Sequence, residues 1–94
     1  MKKLFDEICV VGLGFVGLTT ALSFADKKYK VIGIDKDEKL IKSLKNNQIP
    51  FFEPFLNKKL KSYKNKNFSI RSQFTLQKNK KYLFFICVGT PLKK

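Results

Sequence analysis

The sequence predicts an α/β domain in which helices flank a parallel sheet. Three observations predict it. Two short apolar runs, residues 8–11 and 31–34, read as buried strands. A glycine turn, Gly12-Leu13-Gly14-Phe15-Val16-Gly17, joins the first run to a stretch with helical periodicity. A third apolar run, residues 82–88 (YLFFICV), reads as a strand buried on both faces.

Each element follows in order. The first strand covers residues 8–11. The first helix is expected from near Gly14 to about Asp26, because Leu18, Ala21, Leu22 and Ala25 recur at i, i+3, i+4 and i+7. Its alanines suit close packing on a sheet. Lys27-Lys28-Tyr29-Lys30 is a polar turn, and residues 31–34 form the second strand. Asp37 is placed to cap a second helix running to about Asn46, with Leu40, Ile41 and Leu44 inward. Asn46-Asn47-Gln48-Ile49-Pro50 ends that helix. Pro54 fits the first turn of a third helix carrying a narrow stripe of Leu56, Leu60 and Tyr63. After the polar loop 64–67, residues 68–71 alternate as an edge strand does, with one wet face. Residues 73–80 read as a short, weak helix or a loop. Strand–helix alternation implies right-handed crossovers and, for the first half of a Rossmann-type sheet, the strand order 3-2-1-4. Residues 1–94 make a single domain without internal repeats.

The glycine turn carries the chemistry. Gly12 permits the tight exit from the strand, Gly14 lets a pyrophosphate approach the backbone, and Gly17 lets the helix lie close to the sheet. The free N–H groups at the start of that helix favour an anion. Asp35 ends the second strand at about the 20-residue spacing the motif requires, where it can accept hydrogen bonds from the adenosine ribose. Taken alone, these residues also describe a tight strand-to-helix turn with a solvent-facing Asp. The combined context favours a dinucleotide site. A carboxylate at position 35 disfavours the 2′-phosphate of NADP, so NAD is the expected cofactor. Lys36 and Lys39 stand close enough to soften that preference.

Composition narrows the function classes. A hydrophobic content of 44% suffices for a core and argues against disorder. No apolar run spans a bilayer, and Asp6 and Glu7 interrupt the only stretch shaped like a secretory leader. The chain is therefore expected in the cytoplasm, without a membrane partner. Twenty basic residues against seven acids give a net charge of +13, which raises nucleic acid as a partner. The lysines are scattered, however, and Arg71 is the only arginine, so no specific nucleic-acid site is expected. Cys9 and Cys87 fall in neighbouring expected strands, where their thiols would lie fairly close; they read as reduced core residues. With no histidine in the chain, neither cysteine is a candidate nucleophile and no metal site is expected.

The segments ICVVGLGFVGL, VIGIDKDEKLIKSLKNN, IPFFEPFL and FFICVGTP together resemble the N-terminal NAD-binding domain of the nucleotide-sugar 6-dehydrogenases, the UDP-glucose/GDP-mannose dehydrogenase family. The resemblance covers nearly the whole chain. It implies that Gly12, Gly14, Phe15, Val16 and Gly17 form the pyrophosphate turn, that Asp35 holds the ribose, and that Thr90 contacts the dinucleotide. Thr90-Pro91 read without the family is equally an ordinary strand-ending turn. Lys39, near the adenosine in some relatives, reads better as a solvated helix lysine. Phe55 stands where the family's E-P-G-L stretch has glycine, and the segment 47–50 lacks the usual glycine, so the geometry near Glu53 is expected to differ.

Full members of the family oxidise the sugar C6 alcohol to a carboxylate with two NAD, as in UDP-glucose 6-dehydrogenase. The resemblance places their nucleophile, UDP-sugar site and dimer-forming helix beyond the segment seen in this chain. Cys87 is not in the nucleophile's position. The chain is thus expected to hold no catalytic residue and to be inactive by itself, with the UDP-sugar and homodimer contacts belonging to a full-length parent. An open fourth strand, with Phe84 and Phe85 uncovered, is expected to favour self-association. Two other readings remain open: the cofactor domain of a different NAD-dependent dehydrogenase, and a basic nucleic-acid-binding module on a degenerate Rossmann scaffold. A flavin or methyl-donor site is a remoter possibility for the same kind of turn.

Overall fold

Residues 4–50 and 54–87 are described by a computed structural model. Four parallel strands, β1 (Glu7–Val11), β2 (Val31–Ile34), β3 (Phe68–Arg71) and β4 (Tyr82–Ile86), pair in the order β3-β2-β1-β4. Three helices, α1 (Phe15–Asp26), α2 (Glu38–Lys45) and α3 (Pro54–Tyr63), fill the crossovers β1 to β2 and β2 to β3. Both crossovers advance in the same direction, so right-handed connection puts all three helices on one face of the sheet.

The register sorts the strand side chains into two faces. Parallel partners project to the same side, and successive residues to opposite sides. Ile8, Val31 and Phe68 are in register, as are Val10, Gly33 and Ile70. These residues meet Leu18, Ala21 and Leu22 of α1, Ile41 and Leu44 of α2, and Leu56 and Leu60 of α3 in one buried cluster. Phe85 joins from β4, its ring 4.9 Å from that of Phe24 on α1. The periodic apolar positions of the helices are thus the residues that close this core.

The opposite face carries Glu7, Cys9, Ile32, Tyr82, Phe84 and Ile86. It is covered by the connection between β3 and β4. Phe74 stands edge-on to Tyr82 at 5.4 Å, the Arg71 guanidinium lies 5.6 Å above Phe74, and the Gln77 N–H donates to the Tyr82 hydroxyl at 3.0 Å. Residues 73–80 form no helix. Phe74 and Leu76 lie two apart rather than three or four, so they give a helix no continuous apolar stripe.

The fourth strand is a correction. Residues 82–88 read as buried on both faces, yet β4 ends at Ile86 and is the outer strand among the described residues. Phe84, expected to be uncovered, is 45% exposed, and Ile86 is 64% exposed, whereas Phe85, also expected to be uncovered, is half-buried because it points to the helix face and packs on Phe24. The reason is coverage: among the described residues β1 pairs with one edge of β4, and only a loop lies over the second face. Val88 falls outside the described residues. The cysteines also sit differently from the expected neighbours. Cys9 is in register with Phe84, so Cys87 lies three positions further along, roughly 10 Å away at the rise of a strand. Both thiols are free.

Glu7 was expected outside the first strand as a polar interruption. It instead opens β1 and is only 4% exposed. Its carboxylate accepts from the Lys80 ammonium at 2.6 Å and faces that of Lys30 at 3.9 Å. The bond to Glu7 raises the Lys80 pKa above the ordinary lysine value. On the helix side, the Tyr63 hydroxyl donates to Asp26 and joins α3 to the end of α1. The Asn67 amide donates to the carbonyls of Ala25 and Tyr29, at 2.8 and 2.9 Å, and satisfies acceptors at the end of α1.

Candidate functional site

The site is built where the strands deliver their carboxyl ends. The Gly12 N–H donates to Ile34 O at 2.7 Å, which carries the β1–β2 pairing one residue past the strand. The chain then turns at Gly12, whose φ of 97° suits glycine. Leu13 is fully buried, and its methyls occupy the space over Gly33, 3.0 Å from where a Cβ at that glycine would stand. The turn is therefore pinned into the core by one side chain between its first two glycines. Sequence reasoning missed this. The available signal was a lone glycine in the middle of the strand VIGI, which marks close approach by another group.

Gly14 and Gly17 have opposite surroundings. A Cβ on Gly17 would lie 1.6 Å from the Gly12 carbonyl oxygen, an overlap with backbone that no side-chain motion relieves. Gly17 thus sets the close approach of α1 to the turn. A Cβ on Gly14 would meet nothing within 4 Å. The open space at Gly14 is on the ligand side. Gly14 is also the N-cap of α1, with no side-chain cap bond and no acidic residue in the first helical turn. With no acidic side chain in that first turn, the positive end of the helix suits an incoming phosphate. Phe15 and Val16 form the first two helical positions and are 51% and 64% exposed.

Asp35 follows β2 and reaches back to the turn. Its Oδ2 accepts from the Leu13 N–H at 2.8 Å, and its Oδ1 accepts from the Asp37 N–H at 2.9 Å. One carboxylate thus fixes both the glycine turn and the start of the α2 cap. Each oxygen keeps a second acceptor site, since an ionised carboxylate offers about four lone-pair positions. Asp37 caps α2 as its position predicted, with Oδ1 accepting from the Lys39 and Leu40 N–H groups at 3.0 and 3.2 Å.

A cleft of about 510 Å³ runs over these residues. Gly12, Gly14 and Cys87 line it with Asp35, while Lys36, Leu40 and Ser72 line it further along. The structure thus brings Gly12, Gly14 and Asp35 together in one cleft, with Gly17 directly behind the turn. Lys39 is exposed and does not line the cleft; Lys36 does. Thr90, and the Glu53 segment, lie outside the described residues. Among the described residues no group of three metal-ligating side chains occurs, and no helix is long and apolar enough to cross a membrane.

Comparison with known proteins agrees with this geometry. Residues 6–94 match the family model of the UDP-glucose/GDP-mannose dehydrogenase family, NAD binding domain. The chain is 40% identical over 91 residues to a UDP-N-acetyl-D-mannosamine dehydrogenase of Methanococcus vannielii, covering 96% of this chain and 20% of that protein. It is also 40% identical over 85 residues to a putative UDP-glucose 6-dehydrogenase of Bacillus subtilis, covering 90% of this chain and 19% of that protein. Among solved structures, a UDP-N-acetylmannosamine dehydrogenase from Pyrococcus horikoshii superposes with a TM-score of 0.80 at 33% identity, over 93% of this chain and 21% of that one. A ternary complex of GDP-mannose dehydrogenase from Pseudomonas aeruginosa gives 0.75 at 28% identity, over 94% and 20%. The chain spans about a fifth of the length of these dehydrogenases.

Proposed function

The chain belongs to the UDP-glucose/GDP-mannose dehydrogenase family as its NAD-binding domain, and from that premise we propose that it supplies the NAD half of an enzyme oxidising the C6 alcohol of a UDP-linked hexose. The observation that carries the reading is the cleft, in which an uncapped helix start, an open Gly14 and the Asp35 carboxylate converge. Gly12, Gly14, Phe15, Val16 and Gly17 receive the pyrophosphate, Asp35 receives the ribose, and Thr90 completes the contact. The whole reaction converts the alcohol, water and two NAD⁺ to the carboxylate, two NADH and three protons. Both UDP-N-acetylmannosamine and UDP-glucose dehydrogenases stand among the relatives. The former recurs in several of them and is the favoured substrate.

The chain alone binds cofactor and performs no turnover, because it spans only about a fifth of the dehydrogenases it matches, and of its two thiols Cys9 is fully buried and Cys87 stands at the cofactor cleft. Sugar binding and homodimer formation belong to a longer parent in the cytoplasm. The open β4 edge favours self-association of the chain as it stands.

Titration with NADH and NADPH, followed by nicotinamide fluorescence, tests the reading. The expected result is saturable NADH binding with NADPH weaker. Asp35→Ala is expected to weaken both cofactors, because the same carboxylate holds the Leu13 N–H of the turn. A folded chain that binds neither cofactor sinks the proposal. A variant that merely gains NADPH shows that Asp35 reads the ribose without holding the turn.

A further inference from the structure

Cys87 is a cleft residue to which the glycine-turn motif assigns no role. Its N–H donates to Val11 O at 2.7 Å, which extends the β1–β4 pairing one residue beyond β4 and fixes its backbone beside Gly12. Strand alternation then sets the direction of its side chain. Phe85 points to the helix face, where it packs on Phe24, and Ile86 points away and is 64% exposed. Cys87 therefore points to the helix face again, and it packs against the edge of the core cluster. Its Cβ lies 3.3 Å from where a Cβ on Gly17 would stand. It also lines the cleft together with Gly12 and Gly14. Among the described residues the thiol thus stands between β1, the glycine turn and the first turn of α1, and it borders the cleft beside Gly12 and Gly14.

We propose that Cys87 is a size gate of the pyrophosphate subsite: its short side chain leaves room for the diphosphate, and a longer group at this position projects into that room and excludes the dinucleotide. The inference rests on the NAD reading of the cleft. The wall behind position 87 cannot retreat, because α1 already touches the turn through Gly17 and has no slack there. Extra volume must move forward into the cleft. The gate acts through volume, so the sulfur itself is dispensable. The same placement makes the thiol reachable from the cleft in the free chain and covered by bound dinucleotide. Cys9, fully buried on the loop-covered face of the sheet, supplies an internal control.

The test combines variants with labelling of the wild-type 94-residue chain. Cys87→Ala is expected to bind NADH within about threefold of wild type, whereas Cys87→Leu loses more than tenfold with an unchanged circular dichroism spectrum. N-ethylmaleimide is expected to label Cys87 and spare Cys9, as read by peptide mass spectrometry, with saturating NADH slowing the labelling more than fivefold. A folded Cys87→Leu that binds like wild type overturns the gate, as does a Cys87→Ala that loses binding. If Cys87→Leu does not fold, labelling decides: protection by NADH upholds the placement, and equal rates with and without NADH overturn it. A wild-type chain that binds no NADH overturns the cofactor reading together with this one, so the two failures are distinguishable.

Discussion

The two faces of the sheet use the same strands and are finished by different means. On the helix face, Ile8, Val10, Val31, Phe68 and Ile70 meet three helices in a continuous apolar cluster. On the opposite face, Glu7, Cys9 and Ile32 are buried near the centre, while Phe84 and Ile86 stay open toward the β4 side. There the holding contacts are pairwise: an ion pair from Glu7 to Lys80, Phe74 on Tyr82, Arg71 over Phe74. The helix face gains stability from area, whose effect is roughly proportional to apolar surface buried and involves no titrating group. The loop face gains part of its stability from geometry and charge. The cofactor cleft belongs mainly to the first construction, because its turn is pinned by Leu13 in the helix-face core and by α1 at Gly17.

The comparison is broken most directly by truncating one large ring on each face. Phe68 is 1% exposed in the helix-face core, so Phe68→Ala is expected to cost about 3–5 kcal/mol, enough to unfold a chain of this size. Phe84 is 45% exposed, and Phe84→Ala is expected to cost under about 1 kcal/mol. Urea unfolding of both variants checks this. Equal losses would show that the loop face is as consolidated as the helix face. The same Phe84→Ala variant is expected to reduce self-association in sedimentation velocity, since it removes apolar surface next to an open strand edge.

The next effect separates the two glycines of the site. Gly17→Ala drives a methyl into the Gly12 carbonyl and is expected to cost about 3 kcal/mol with loss of NADH binding. Gly14→Ala meets nothing within 4 Å and has a φ of −68°, so stability should stay within about 0.5 kcal/mol. Its methyl still stands on the ligand side, so NADH binding is expected to fall. Thermal melts and NADH titration of the pair read stability and binding independently. A Gly14→Ala chain that binds NADH normally would move the pyrophosphate away from the cradle.

The helix face was legible in the sequence because its signals are periodic. Leu18, Ala21, Leu22 and Ala25 mark α1, and Leu56 and Leu60 mark α3, since a helix must present one face to the sheet. The placement of Gly12, Gly14 and Asp35 in one cleft was legible for a related reason: the motif sets glycine and aspartate at fixed spacing. The loop face was not legible. Nothing local in YLFFICV distinguishes a strand buried twice from one covered by a loop, because coverage is decided by segments far away in sequence. The burial of Glu7 depends likewise on Lys80, 73 residues on. The double duty of Asp35 and the plug formed by Leu13 were hidden because each needs the turn and β2 placed together in space.

The smallest effect is the alkaline pH dependence, which weighs the loop face most heavily. Burial, reinforced by Glu7 and opposed by Arg71, pushes the Cys9 thiol up to about 11. Hydrogen bonding to Glu7 raises Lys80, and hydrogen bonding to Asp26 raises the Tyr63 phenol. All three folded values lie above the unfolded ones. Each contribution is therefore complete below the unfolded pKa, at about 8.5 for Cys, 10 for Tyr and 10.4 for Lys, and is lost as pH rises through the folded value. Thermal melts are expected to hold steady from pH 7 to about 8.5 and then fall progressively through pH 11. Two of the three groups sit on the loop face, and Cys9→Val, Lys80→Met and Tyr63→Phe should each flatten the alkaline decline, so that the loop face carries two of the three contributions. Cys9→Val should act earliest, because its thiol has the lowest unfolded pKa. A melting temperature unchanged up to pH 11, or a wild-type decline retained in both Cys9→Val and Lys80→Met, would remove the electrostatic half of the distinction between the faces and leave only their difference in covered area.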